Sequence, residues 1–161
     1  MSFEKVAEQD GREVWLAVLT RPEDAAAWSA VAKPRTGVLV FFDADAWDAD
    51  ELDRFVEETL KFSPSEVATA GSGAADLEDA FDQELALHPR TPAVLTTAHP
   101  EDALDEAVWY MFFATIPGQP AGELRQPPLI VAFREGDARI QEFRSLAARF
   151  AAAMNDVLER E

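Results

Sequence analysis

Three groups of residues in this chain could do chemistry. Asp43 closes the apolar run 37–43 with Asp45 two residues on, Ser72 sits in the turn Gly71-Ser72-Gly73, and Thr96, Thr97 and His99 stand at the end of the strand candidate 93–97. Serine, histidine and aspartate are the residue types of nucleophilic catalysis, with His99 as base, Ser72 as nucleophile and Asp43 orienting the base. The agreement ends at residue type, because the segment around Ser72 lacks a Gly-x-Ser-x-Gly elbow and Gly-Ser-Gly is ordinary turn chemistry. The same turn opens a helix, whose backbone N–H groups could hold a phosphate. Asp76, Glu78 and Asp79 in the first turns of that helix would repel one.

A divalent metal is the next possibility. Asp43, Asp45 and a carboxylate of the following helix resemble, in type, the magnesium pocket of response-regulator receiver domains. Such a pocket also needs an Asp ending strand three and a Lys ending strand five. Here strand three leads to Gly71-Ser72 and strand five runs Val131-Ala132-Phe133-Arg134. His99 with Asp79 or Glu106 is another conceivable ligand set, but a histidine at a strand exit more often hydrogen-bonds nearby carboxylates. We therefore expect no metal and no cofactor. Glu106 lies in a largely apolar helix and needs a partner, with His99 and Arg90 the nearest candidates. Trp109, Tyr110, Phe112 and Phe113 could stack a base or a flavin, but the surrounding acidity disfavours nucleotides and most of the group reads as core. Trp28 and Trp47, near helix starts, are expected to be partly exposed. The candidate cluster comprises Asp43, Asp45, Ser72, Asp79, Thr97, His99, Glu106 and Trp109.

The elements that must position these residues alternate. Strands are predicted at 13–20, 37–43, 66–70, 93–97 and 129–133, separated by helical patterns at 22–31, after Asp45 or Asp48, after Gly73, at 101–116 and at 137–160. This alternation predicts an α/β fold, a three-layer α/β/α sandwich of flavodoxin-like or Rossmann-like type with a five-stranded, mainly parallel sheet. The ligand crevice of such a sheet lies at the carboxyl ends of its strands, so Asp43, Ser72 and His99 should share one rim. The chain is read as a single domain, 1–161, with a polar segment at 1–12. The last helix, about 24 residues long, would reach roughly 36 Å and overhang a strand of about 23 Å. Its stripe Ile140, Phe143, Ala147, Phe150, Met154 and Val157 could seat the helix on the sheet and then meet a second copy.

Composition sets the bounds. The 161 residues hold 31 acidic against 14 basic side chains, a net charge of −17, and no cysteine. Thiolate chemistry is excluded, and nucleic acid or an anionic membrane is disfavoured as a partner. Residues 61–120 carry ten carboxylates against two cations, Lys61 and Arg90, making the middle of the chain its negative pole. The polar amino terminus and the short apolar runs lead us to expect a soluble, cytoplasmic, bacterial protein.

The segment Thr96-Thr97-Ala98-His99 followed by Leu104-Asp105-Glu106-Ala107-Val108-Trp109 resembles a bacterial family of small uncharacterised domains, in which a strand ends in Thr-Thr-x-His and the next helix carries Leu-x-Glu-Ala-x-Trp. The resemblance covers about residues 37–116. It implies an α/β sandwich and points to Thr97, His99, Glu106 and Trp109 as a shared cluster, without implying a reaction. The region of Gly71 and Asp76 to Asp82 is similar in placement to a second motif of that family but lacks its Cys, Trp and His residues. Together these features favour a non-catalytic interaction or regulatory module, binding a protein partner through its negative face or pairing with itself through the last helix. The alternative is a small hydrolase using His99 with Ser72 or the strand-end carboxylates.

Overall fold

The computed structural model describes residues 1–9, 12–32, 35–113 and 127–160, with the backbone alone at 9, 112, 113 and 150–160. In chain order the elements are β1 (Ser2–Gln9), β2 (Arg12–Leu19), a 3-10 helix (Pro22–Ala30), β3 (Gly37–Phe41), α1 (Ala49–Leu60), β4 (Glu66–Ala70), α2 (Ala74–Leu87), β5 (Leu95–His99), α3 (Leu104–Phe113), β6 (Leu129–Arg134) and α4 (Arg139–Arg160). The six strands form one sheet in the order β1-β2-β6-β3-β4-β5. β1 pairs antiparallel with β2, and all other neighbours are parallel. The fold is α/β with a mixed, mostly parallel sheet.

The continuous apolar runs become the central strands, since a strand covered on both faces must be apolar on both. Their side chains alternate between two cores. Leu129, Val131 and Phe133 join Leu39 and Phe41 under Val108 and Met111 of α3 and Phe143 of α4. Ile130 and Ala132 join Val38 and Val40 against the 3-10 helix, α1 and α2, which contribute Trp28, Phe55 and Phe81. Each large apolar side chain so buried contributes roughly 1.5–3 kcal/mol of transfer free energy. Asp48 accepts from the Glu51 N–H at 2.9 Å while Glu51 accepts from the Asp48 N–H, so these two acids at the start of α1 are helix caps.

The structure departs from the sequence reading in several places. A sixth strand, β1, occupies the segment read as polar. Its bulge between Lys5 and Ala7 turns both Val6 and Ala7 toward the same core, breaking the period-two pattern that would have revealed it. The segment after β2 is a 3-10 helix because its buried residues, Pro22, Ala25 and Trp28, recur every three positions. Trp28 and Trp47, expected at the surface, are 1% and 8% exposed and pack on Phe55. The strand order also differs from the flavodoxin-like 2-1-3-4-5 and from the Rossmann order. The last strand, β6, is buried at every residue from Leu129 to Phe133 and inserts between β2 and β3. Of the apolar stripe on α4, Phe143 and Ala147 are fully buried, whereas Phe150, Met154 and Val157 lie outside the described side chains. No helix among the described residues is long and apolar enough to cross a membrane.

The turn after β4 owes its glycines to packing. Gly71 has φ +92°, and a Cβ there would lie 2.5 Å from the carbonyl oxygen of Phe42. At Gly73 it would meet the Phe42 ring at 2.5 Å and the Asp43 carbonyl carbon at 2.8 Å. Backbone hydrogen bonds from Phe42 to Ala70 and from Gly73 to Phe42 hold the turn against the β3 exit. Gly71→Ala should therefore cost about 1–3 kcal/mol in urea denaturation. Gly136→Ala, where φ is +84° but no atom lies within 4 Å of the added methyl, should cost less. Equal losses would show that dihedral strain alone matters.

Candidate functional site

β5 starts at Leu95, two residues later than expected, so His99 is its final residue and shares a face with Thr97. The imidazole is held on both sides: Nδ1 lies 3.0 Å from Asp102 Oδ2 and Nε2 lies 3.1 Å from Thr97 Oγ1. Its ring packs against Tyr110 of α3, centroids 4.7 Å apart. Thr97 Oγ1 is also 3.2 Å from Glu66 Oε1, which accepts the Tyr110 hydroxyl at 2.7 Å. Glu66, at the start of β4, is 4% exposed. A carboxylate so buried requires hydrogen bonds and a counter-charge. Two hydroxyls supply the first. The second comes from the buried Arg12, whose charge acts on Glu66 and whose Nη1 donates to the Met111 carbonyl at 3.1 Å, in the last turn of α3 where the helix dipole favours a cation. A polar chain from Asp102 through His99, Thr97 and Glu66 to Tyr110 thus runs beneath α3.

The electrostatics follow from burial. Desolvation lowers Arg12 to about 10, opposed by Glu66, which leaves the guanidinium charged at neutral pH. Desolvation, then the hydrogen bond and charge of Glu66, push Tyr110 up to about 12, so its phenol remains a donor. On α2, burial and the charges of Asp82 and Asp79 raise Glu78, with His99 acting in the opposite sense. Above the His99 network lies an open depression of about 530 Å³ lined by His99, Asp102, Asp105, Glu106, Trp109 and Tyr110. Trp109 is 57% exposed.

A second depression, of about 500 Å³, lies where β3 and β6 end. The helices that follow these two strands cover opposite faces, which makes this a topological switch point. Arg139 Nη2 donates to Asp43 Oδ2 at 3.0 Å and to Asp137 Oδ2 at 2.7 Å, while its guanidinium lies 5.2 Å from the Phe41 ring centroid. Burial would raise the Asp137 carboxyl, but hydrogen bonds and charge from Arg139 outweigh it and hold the group below the usual carboxylate value. Ser72 Oγ accepts from the Ala44 N–H at 2.9 Å and lies 3.4 Å from Asp43 Oδ1.

The expected rim is real in its backbone and divided in its side chains. Phe41, Ala70 and His99 align at the ends of adjacent parallel strands. Beyond them, Asp43 and Ser72 meet each other and Asp43 meets Arg139, whereas His99 turns onto the α3 face with both nitrogens committed to Asp102 and Thr97. Asp45 is exposed, with φ +65°. Asp79 groups with Glu78 and Asp82 on α2. Glu106 is exposed beside the depression, and Asp102 is the carboxylate that His99 holds. Residues absent from the candidate cluster are Arg12, Glu66, Asp102, Tyr110, Asp137 and Arg139. Glu66 had a signal, an acid at the head of the strand Glu66–Ala70, every other residue of which is buried.

Tyr110 is the one tyrosine in the chain, so its ionisation can be followed alone by ultraviolet absorbance. The folded protein should titrate near 12, and the urea-unfolded chain near the ordinary value of about 10. The raised value means that the folded state holds the phenolic proton longer than the unfolded chain. The contribution of Tyr110 to stability should therefore be fully present below about pH 10 and be lost as pH rises from about 10 to about 12. A folded midpoint at the ordinary value would show that Tyr110 does not donate to Glu66.

No curated protein matches the sequence significantly. A family model, Domain of unknown function (DUF7684), matches residues 14–150, which include both depressions, the strands β3 to β6 and β2 from Val14 onward. The chain belongs to this family of domains of unknown function, DUF7684.

Proposed function

We propose that the protein is a non-catalytic binding module whose acidic, aromatic depression on α3 takes a cationic group of a protein partner. One observation carries this reading: Trp109 offers an exposed indole in a depression whose other lining groups include the carboxylates of Asp102, Asp105 and Glu106. An indole face attracts an ammonium or guanidinium, worth about 0.5–1 kcal/mol at an exposed site, and neighbouring carboxylates add attraction that salt screens. The net charge of −17 favours the approach of cationic partners.

A hydrolase is the second reading, favoured by the order Thr97, His99, Asp102. If the ring is neutral and donates Nδ1–H to Asp102, Nε2 faces Thr97 Oγ1 as a general base would, but the single proton of that hydroxyl is donated to Glu66. Glu66 weighs against it. Its carboxylate, 3.2 Å from Thr97 Oγ1, opposes the negative charge that an attacking oxygen and a tetrahedral intermediate develop. Ser72 offers no better nucleophile, since its hydroxyl is engaged by Asp43 and the Ala44 N–H.

The test is calorimetric titration with hexa-arginine, and with hexa-glutamate as control. Hexa-arginine should bind with an affinity that falls with salt, hexa-glutamate should not bind, and Trp109→Ala or Asp105→Asn/Glu106→Gln should each weaken binding about threefold to tenfold. Neutralising Asp50 and Asp53 on α1 should have a smaller effect. If all variants bind equally, attraction is merely that of net charge and the reading fails.

A further inference from the structure

We propose that the partner of this module is an extended, basic segment that adds to the sheet as a strand beside β5. The inference rests on the cation-binding reading above and deepens it by specifying the shape of what binds. β5 is an outer strand, and among the described residues it pairs only with β4. The Leu95 N–H donates inward to the Ser65 carbonyl. Because a strand's backbone groups alternate in direction, the N–H and C=O of Thr96 and Ala98 point outward, away from β4. Such a row is a template for another strand.

The surroundings of this edge select the occupant. Of the large hydrophobic side chains exposed among the described residues, Leu87, Leu95 and Trp109 belong to α2, β5 and α3, the elements that form or flank it. An added strand would alternate its side chains between two acidic walls. On the α3 side stand Asp102, Asp105 and Glu106 with Trp109. On the α2 side Glu78, Asp79 and Asp82 bring carboxylate oxygens within 4.8 Å of one another, and Asp82 accepts from Thr96 Oγ1. A second copy of the chain would set carboxylates against carboxylates on both faces, which like-charge repulsion disfavours. A strand bearing arginine or lysine on both faces is complementary, its main chain bonding to Thr96 and Ala98 while one of its cations enters the Trp109 depression.

The experiment uses the whole protein, labelled with nitrogen-15, and a blocked peptide of repeated Arg-Arg-Thr-Thr, which places arginine on both faces of an extended strand, together with the same peptide N-methylated at every second amide. Saturation with the unmodified peptide should slow amide hydrogen exchange at Thr96 and Ala98 about tenfold or more, and methylation should weaken binding by about tenfold. Equal binding of the two peptides without protection of these amides would overturn strand addition and leave cation binding standing. No binding of either peptide would overturn both. Protection of the same amides in the free protein at high concentration, with a dimeric mass, would overturn the proposal in favour of a second copy.

Discussion

A carboxylate that the core has enclosed sets the terms for one half of this molecule. Glu66 sits at the head of an otherwise apolar strand with almost no contact with water. An isolated charge there would cost several kcal/mol, so it must be met by donors and a counter-charge. Those requirements draw in Tyr110 from α3, Thr97 from β5 and Arg12 from β2. They fix how α3 lies on the sheet, since Arg12 also holds the Met111 carbonyl. His99 is positioned as a consequence, wedged between Thr97, Asp102 and the Tyr110 ring. The depression above it is thus floored by a continuous polar chain, while its outer wall remains open to solvent.

The opposite half is organised by Arg139. Its guanidinium bridges Asp43 at the end of β3 and Asp137 before α4, and stacks over Phe41, itself stacked on Phe133. The cation thereby ties together two strand exits whose following helices diverge. Asp43, one of the acids weighed as an oxygen ligand, is paired with Arg139, while Asp45 stands exposed. Ser72 is drawn into the same arrangement by the close approach of the glycine turn to Phe42 and Asp43.

Elements are more legible in this sequence than the partners they bring together. The parallel strands are legible because short runs rich in apolar and β-branched residues, bounded by Pro and Gly, are too short for a buried helix, and residues 66–70 have the same bounds in sequence and structure. Legibility fails where a local device disguises the pattern, as with the bulge in β1 and the three-residue spacing from Pro22 to Trp28. For the site, residue types locate Asp43, Ser72 and His99 at one edge, but not the direction of each side chain. Because β5 runs on to His99 instead of ending at Thr97, His99 keeps the alternation of the strand and faces α3 with Thr97. Long-range partners such as Arg12 with Met111, or Arg139 with Asp43, are separated by 99 and 96 residues and leave no local trace. Glu66 is the exception: like Glu106 it is an acid among apolar residues and so needs a partner, and its own strand buries it where the surface of α3 leaves Glu106 exposed.

The placement of β6 bears on how the chain reaches this structure. The strand that fills the centre of the sheet is the last to be synthesised, and it pairs with β2 across roughly a hundred residues of intervening chain. Until residues 129–134 emerge, the β1–β2 hairpin has no neighbour to dock on and β3 presents a bare inner edge. The sheet therefore cannot close before that segment is made, and the long-range β2–β6 pairing carries the loop-closure entropy that slows contacts between distant parts of a chain.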